Sequence, residues 1–362
     1  MTNHYWLKNI GLTDAFLRES TRYSELTVGR VASQSKGLYK VITEQGEWVA
    51  EIAGKLRYAA SSVAEYPVVG DFVMVDRPNH AADTAIIHHV LTRRTVLERK
   101  AAGTSQDVQI VASNMDIVFI CMALNQDFNL RRLERYLAIA WNSGATPVVV
   151  LTKSDLCVDL QTKLDAAAAV ALGVDLVVAS SLYEDGIQAV QGYMGSGITC
   201  VFIGSSGVGK STLINRLMGA SVMETNATRK DDKGRHTTTR REMLQLPGGG
   251  VIVDTPGMRE LGLEGAELSR SFADIDSLAA ACKFADCRHE NEPKCAVREA
   301  VQAGLLTEER LANYWKLKRE AKYEGMNARQ IESAKLDAMF GGVGGMKQAR
   351  KFMKAKQDRK NR

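Results

Sequence analysis

The order of apolar and polar positions changes character along the chain. Between residues 27 and 98 apolar residues come in short alternating runs, at 27–31, 37–42, 47–52, 71–75 and 85–91. A period of two is the pattern of half-buried strands, and turn residues such as Gln45-Gly46 and Val69-Gly70-Asp71 separate the runs. Five short strands in one stretch predict a small β-barrel, with an OB-fold as the best match.

From about residue 106 the apolar runs become continuous. Residues 116–124 (DIVFICMAL) and 147–151 (PVVVL) read as strands covered on both faces, as in a parallel sheet. Between them, residues 129–141 place Leu130, Leu133, Leu137 and Ala140 on one stripe, with Arg131, Arg132, Glu134 and Arg135 elsewhere. That spacing predicts an amphipathic helix with Asn129 as N-cap. Residues 161–172 read as a second, alanine-rich helix. Both helices are scaffold, and their charges need no functional account. Helical patterns return at 268–278 and around Leu311, Tyr314, Trp315 and Lys318. The pattern divides the chain into a polar N-terminal extension (1–25), a barrel (26–100), an α/β domain (106–275), a mostly helical domain (276–340) and a glycine-rich, then basic, tail (341–362).

One stretch of the α/β region carries chemistry. Gly204-Ser205-Ser206-Gly207-Val208-Gly209-Lys210-Ser211 fits G-x-x-x-x-G-K-[ST] and is followed by Thr212. An apolar run at 198–203 (ITCVFI) precedes it, and 211–218 (STLINRLM) reads as the helix that follows. A strand that enters glycines and then a helix forms a nest of backbone N–H groups for phosphate. Lys210 is placed for the β- and γ-phosphates and Ser211 for Mg²⁺. A chance glycine turn is the bland alternative, and the flanking strand and helix argue against it.

Three further strand ends name the base. Asp254-Thr255-Pro256-Gly257 follows the apolar run 251–253; an Asp there can hold Mg²⁺ through water, and the Gly257 N–H can meet the γ-phosphate. Thr152-Lys153-Ser154-Asp155 follows 147–151, where a carboxylate can accept both N–H groups of guanine and the Lys153 stem can lie along the ring. Ser180 and Ser181 end a run at 177–181, with backbone N–H groups for the guanine oxygen. Singly each is a common polar loop; together at strand ends of one α/β pattern they point to GTP and GDP. Their order is unusual. The base-reading pieces precede the phosphate loop, so the chain resembles a circularly permuted GTPase. Permutation preserves a site because chain ends often lie close together.

Between residues 221 and 240 no apolar period survives, although the stretch holds Gly234-Arg235-His236-Thr237-Thr238-Thr239. A long patternless loop in a compact domain is commonly functional. A threonine here can reach Mg²⁺ and report the γ-phosphate, which makes the stretch a switch. After Gly257 comes Met258, where ordinary guanine-nucleotide switches carry a water-orienting Gln. His236 is the candidate replacement, being polar and near-neutral in pKa. A solvated loop histidine is the alternative.

Cys282, Cys287, His289 and Cys295 form C-x4-C-x-H-x5-C. Three thiolates and an imidazole match a closed, structural zinc site with no open position for catalysis. Incidental thiols or a redox pair are the alternatives. Lys283, Arg288, Lys294 and Arg298 surround the site and suit RNA contact.

Composition adds bounds. With 45% apolar and 25% charged residues among 362, the chain can bury a sizeable core. It has no 18-residue apolar run and no N-terminal export pattern, so no membrane partner is expected. Six dispersed cysteines fit a reducing cytoplasm. The tail from Lys347 carries eight basic residues and one acidic one; subtracting its +7 from the overall +5 leaves −2 on the rest. It reads equally as a polyanion contact or a solvated end. On the barrel, Lys36, Tyr39, Lys40, Arg57, Tyr58, Arg93 and Arg94 are candidate RNA contacts, against the alternative of a spacer.

A barrel, a permuted GTPase and a C-x4-C-x-H-x5-C helical domain together resemble the RsgA (YjeQ) family of small-subunit-dependent ribosomal GTPases, over roughly residues 27–320. The G-R-H-T-T-T string and the metal spacing carry the resemblance most specifically. It implies binding to the immature small ribosomal subunit and its rRNA late in assembly, with GTP hydrolysis accelerated there. It implies that His236 orients the attacking water, that Thr238 is the switch threonine and Mg²⁺ ligand, and that Cys282, Cys287, His289 and Cys295 hold Zn²⁺. Thr152 stands where the family's Asn is usual, and Ser181 where Ala is. A monomer is expected. Two rival readings are an RNA-binding assembly factor with little turnover and a signalling or transport GTPase whose barrel binds protein.

Overall fold

The computed structural model describes residues 4–35, 37–76, 84–100, 108–180, 183–223, 241–254, 271–290, 292–322 and 330. The strands are β1 (Thr27–Ser35), β2 (Leu38–Thr43), β3 (Gly46–Ile52), β4 (Phe72–Val75), β5 (Ala85–Val90), β6 (Val96–Lys100), β7 (Val108–Ser113), β8 (Ile117–Ala123), β9 (Thr146–Thr152), β10 (Asp175–Val178), β11 (Thr199–Ile203), β12 (Arg241–Gln245) and β13 (Val251–Asp254). The helices are α1 (Tyr5–Asn9), α2 (Asp14–Ser20), α3 (Gly54–Ala59), α4 (Leu130–Asn142), α5 (Leu160–Val170), α6 (Glu184–Gln191), α7 (Lys210–Met218), α8 (Ala273–Ala280), α9 (Ala296–Gln302) and α10 (Glu308–Lys322).

The alternating runs close into a five-stranded barrel in the order β1-β2-β3-β5-β4, with β4 returning to β1. The pairs are antiparallel except β3 with β5. Closure leaves no free edge. Val31, Tyr39, Val41, Ala50, Val73, Val75, Ala85 and Ile87 fill the interior.

The continuous apolar runs form a second sheet in the order β10-β9-β8-β11-β13-β12, parallel until β12 turns back against β13. The two sheets are one hydrogen-bonded surface, because β1 also pairs with β12 through Ser33↔Glu242 and Gln34↔Arg241. A register shift between Val31 and Ser33 lets β1 leave the barrel for this second partner.

The N-terminal segment reads as polar, yet it places Leu7, Ile10, Leu12 and Phe16 in the core. Leu7 and Phe16 face inward from two helices too short to show a full amphipathic period, and Ile10 and Leu12 are buried in the turn between them. Phe16 meets Phe72 of the barrel at 4.5 Å between ring centroids. Arg30 of β1 is fully buried behind it and donates to Ile10 O, to Gly70 O at 3.1 Å, to Asn114 O at 3.2 Å and to Thr199 Oγ1 at 2.9 Å. One guanidinium therefore satisfies groups from the N-terminal segment, the barrel and the α/β sheet. Burial lowers its pKa to about 10, which still leaves it cationic at neutral pH.

The C-terminal helices pack on α4. Glu134 of α4 is buried and accepts hydrogen bonds from Arg310 and Asn313 of α10. Among the described residues, no helix is long and apolar enough to cross a membrane.

Candidate nucleotide site and metal centre

The phosphate loop sits where the strand order reverses. From β8 the chain moves to β9 and β10 on one side, while β11 starts on the other. Such reversals open a crevice at the carboxyl ends of parallel strands. All five residues of β11 are buried, and the chain then turns through Gly204 at φ +144°. A Cβ on Gly204 would lie 2.4 Å from Cys121 O, so only glycine lets the loop pass the end of β8. Gly207 (φ +80°) and Gly209 (φ +101°) continue the turn, and Gly209 caps α7. Buried Val208 pins the loop to the core, while Ser206 and Gly207 stay exposed.

Lys210 Nζ donates to Gly204 O at 2.6 Å and to Ser205 O at 2.7 Å. Burial lowers its pKa, and the nearby Asp254 carboxylate works against that shift. Asp254 ends β13, the strand beside β11, and Ser211 and Thr212 open α7. The predicted Mg²⁺ ligands Ser211 and Asp254 thus flank one lysine; Thr238 lies outside the described residues. A hard oxygen donor set of this kind suits Mg²⁺ that keeps waters and phosphate oxygens.

The 152–155 turn, expected to read the base, joins this loop directly. Thr152, at the end of β9, donates through Oγ1 to Val208 O at 2.5 Å. Lys153 follows in the left-handed region at φ +57°, which swings Ser154 and Asp155 back toward β10. Ser154 N donates to Ala179 O at 3.4 Å, and Ser180 Oγ donates to Asp155 Oδ1 at 2.5 Å. Asp155 is exposed. The phosphate loop, the 152–155 turn and Ser180 therefore share one site. Ser181, Gly257, His236 and Thr238 lie outside the described residues.

Cys282, Cys287, His289 and Cys295 bring their ligand atoms within 4.8 Å of one another. Cys282 Sγ is 3.8 Å from Cys295 Sγ and 3.6 Å from His289 Nδ1, and Cys295 Sγ is 3.4 Å from that nitrogen. Two sulfurs on a zinc tetrahedron with 2.3 Å bonds stand about 3.8 Å apart. The observed spacing is too long for a disulfide and right for a shared metal. His289 (φ +58°) and Lys294 (φ +60°) take left-handed backbone to fold the knuckle, and Arg298 N donates to Cys295 Sγ at 3.5 Å. Four such donors fit Zn²⁺, which would act here as a structural staple.

A family model described as RsgA GTPase matches residues 90–264. The chain is 50% identical over 341 residues to small ribosomal subunit biogenesis GTPase RsgA 2 of Lactiplantibacillus plantarum, covering 94% of this chain and 96% of that protein. The chain belongs to the RsgA family. The RsgA protein of Methanosarcina acetivorans is 43% identical over 83% of this chain and 81% of its own length. Among solved structures, YjeQ of Thermotoga maritima aligns with a TM-score of 0.61 at 28% identity, over 82% of this chain and 98% of that one. YloQ, described as a circularly permuted GTPase, aligns at 0.57 and 26% identity, over 82% and 95%.

Several of the barrel side chains proposed from the sequence are already engaged within the chain. Tyr39 is buried and bonded to Gln34. Arg93 is held by Asp71 and by the carbonyls of Ala64 and Tyr66. Arg94 pairs with Asp116 at 3.2 Å, and Lys40 pairs with Glu47 at 2.7 Å. Arg57 and Tyr58 on α3 remain exposed beside Lys55, with Tyr58 at 94% exposure; Lys36 lies outside the described residues. Sequence reasoning also passed over Arg132, read as scaffold. Its guanidinium donates to Ser205 Oγ at 3.0 Å, inside the 204–211 loop. The available signal was Tyr136 four residues on, which shares its helix face and reaches the same hydroxyl.

Proposed function

We propose that this chain is a GTPase that binds the small ribosomal subunit, assists its late maturation and hydrolyses GTP faster when bound to it. The likeness that carries the reading is the near full-length match to the L. plantarum protein, whose name states small-subunit biogenesis. The nucleotide crevice supports it from the chemical side. Gly207 to Thr212 would cradle the phosphates with their backbone N–H groups, Lys210 would meet the β- and γ-oxygens, and Asp155 would accept the guanine N–H pair. Ser211, Asp254 and Thr238 are the residues assigned to Mg²⁺, which when bound offsets charge on the transferring phosphoryl group. His236 is assigned to orienting the attacking water, in place of the usual glutamine.

Exposed Lys55, Arg57 and Tyr58 on the barrel, with Lys283, Arg288 and Lys294 beside the metal centre, form the faces assigned to rRNA. The protein is read as a cytoplasmic monomer, which suits free thiols and a thiolate metal centre. Co-sedimentation tests the reading. The chain should pellet with purified small subunits in the presence of a non-hydrolysable GTP analogue and remain in the supernatant with GDP. A chain that stays in the supernatant with either nucleotide would remove the ribosomal reading.

A further inference from the structure

One helix joins the phosphate loop to the C-terminal helices. Arg132 and Tyr136 lie one turn apart on α4, and both reach Ser205 Oγ, at 3.0 and 3.5 Å. Between them in the chain, Glu134 is buried against the C-terminal helices and accepts from Arg310 Nη1 and Asn313 Nδ2. Arg310 forks onto Asp274 of α8 at 2.8 and 2.9 Å and reaches Ser271 O at 3.0 Å. Arg135 adds a half-exposed pair with Glu320 of α10 at 2.9 Å. Neighbouring residues of a single helix, 132 and 136 on one side and 134 and 135 on the other, thus contact the phosphate loop and α10.

Burial raises the Glu134 pKa, while Arg310 and Asn313 oppose that rise and favour the carboxylate. Separating α10 from α4 would strand buried charge, which is strongly unfavourable. The cluster therefore ties α10 to the same helix that carries Arg132 and Tyr136. Tightly packed elements of this kind carry energetic coupling between sites.

We propose that Arg132 is a positioning residue for GTP hydrolysis, holding the phosphate loop through Ser205, and that the Glu134–Arg310–Asn313 cluster lets the C-terminal helices set its place. The inference rests on the chain being a GTPase and is independent of the ribosomal partner. Its test uses basal turnover of the full-length protein without subunits, and the wild-type rate shows separately whether the GTPase reading stands.

Steady-state GTP hydrolysis is measured for wild type, Arg132→Gln, Asn313→Leu and the double variant. Each single change should lower kcat about three- to ten-fold and leave KM for GTP within about twofold. Arg132→Lys, which keeps a donor, should recover part of the loss. The double variant should be no slower than the slower single, because both changes cut one connection. If Asn313→Leu does not fold, Glu320→Gln removes the half-exposed pair alone and enters the same cycle. Losses that multiply in the double variant, or a wild-type kcat in Arg132→Gln, would overturn the proposal.

Discussion

The Thr152 hydroxyl donates to the Val208 carbonyl across 2.5 Å, although 56 positions separate them in the chain. This bond fixes the 152–155 turn against the 204–211 loop, so the spacing between the segments proposed to hold guanine and phosphate is set by the fold itself. A threonine serves here where the family's usual residue is Asn, because the contact needs one donor and the Thr152 side chain is buried close enough to supply it.

Base choice follows from that geometry. Asp155→Asn replaces a pure acceptor by a group that presents a donor to one of the guanine N–H groups. GTP affinity should fall at least about 100-fold, since a site built for hydrogen bonds rejects a mismatched edge steeply. Xanthosine triphosphate should bind better than GTP in this variant. Titration with fluorescent analogues of both nucleotides checks the inversion; unchanged GTP affinity would refute the role of Asp155.

Gly204→Ala should damage the site through sterics alone. The added methyl would lie 2.4 Å from Cys121 O at a φ of +144°, and neither backbone can yield cheaply. A loss of about 3 kcal/mol is expected, with nucleotide binding abolished. Urea unfolding and GTP titration of the same sample would show both effects, whereas Gly207→Ala, with open space around its Cβ position, should cost less stability.

Metal removal should separate the C-terminal knuckle from the nucleotide crevice. A strong zinc chelator, or Cys295→Ser, should lower the melting temperature and raise proteolysis around residues 282–295. Metal content by elemental analysis should fall from one zinc per chain to none. GTP affinity should change by less than about threefold, because zinc contributes folding energy locally and the four ligands lie outside the phosphate loop and base turn.

His236→Ala should leave GTP binding near wild type and reduce subunit-stimulated turnover by about 100-fold, the range of a positioned general base or water-orienting group. Thr238→Ala should also weaken the dependence on Mg²⁺. An unchanged stimulated rate in His236→Ala would remove that residue from the chemistry.

Much of this was legible because the motifs are local. The G-x-x-x-x-G-K-S loop, the T-K-S-D turn and the cysteine spacing each lie within about 14 residues, and the continuous apolar runs matched β8, β9 and β11 closely. The barrel strands were readable from their alternation for the same reason. Other features depend on partners far away. Arg30 reads as an ordinary strand cation until Ile10, Gly70, Asn114 and Thr199 converge on it. Glu134 and Arg310, 176 positions apart, look like surface charges of two separate helices. Arg93 and Tyr39 looked available for RNA because side-chain type does not reveal burial. The β6–β7 hairpin, paired from Val96↔Ser113 to Lys100↔Val108, was missed because its strands fall across the expected domain boundary.

The central claim is that one guanosine triphosphate crevice, formed from segments in permuted order, is switched on by the small ribosomal subunit. Steady-state GTP hydrolysis by the full-length protein, with and without purified small subunits at fixed Mg²⁺, tests it most directly. A rate that rises at least about tenfold with subunits, corresponding to roughly 1.4 kcal/mol of barrier, and that saturates, is the predicted result. A rate indifferent to subunits while GTP binding is intact would contradict the account.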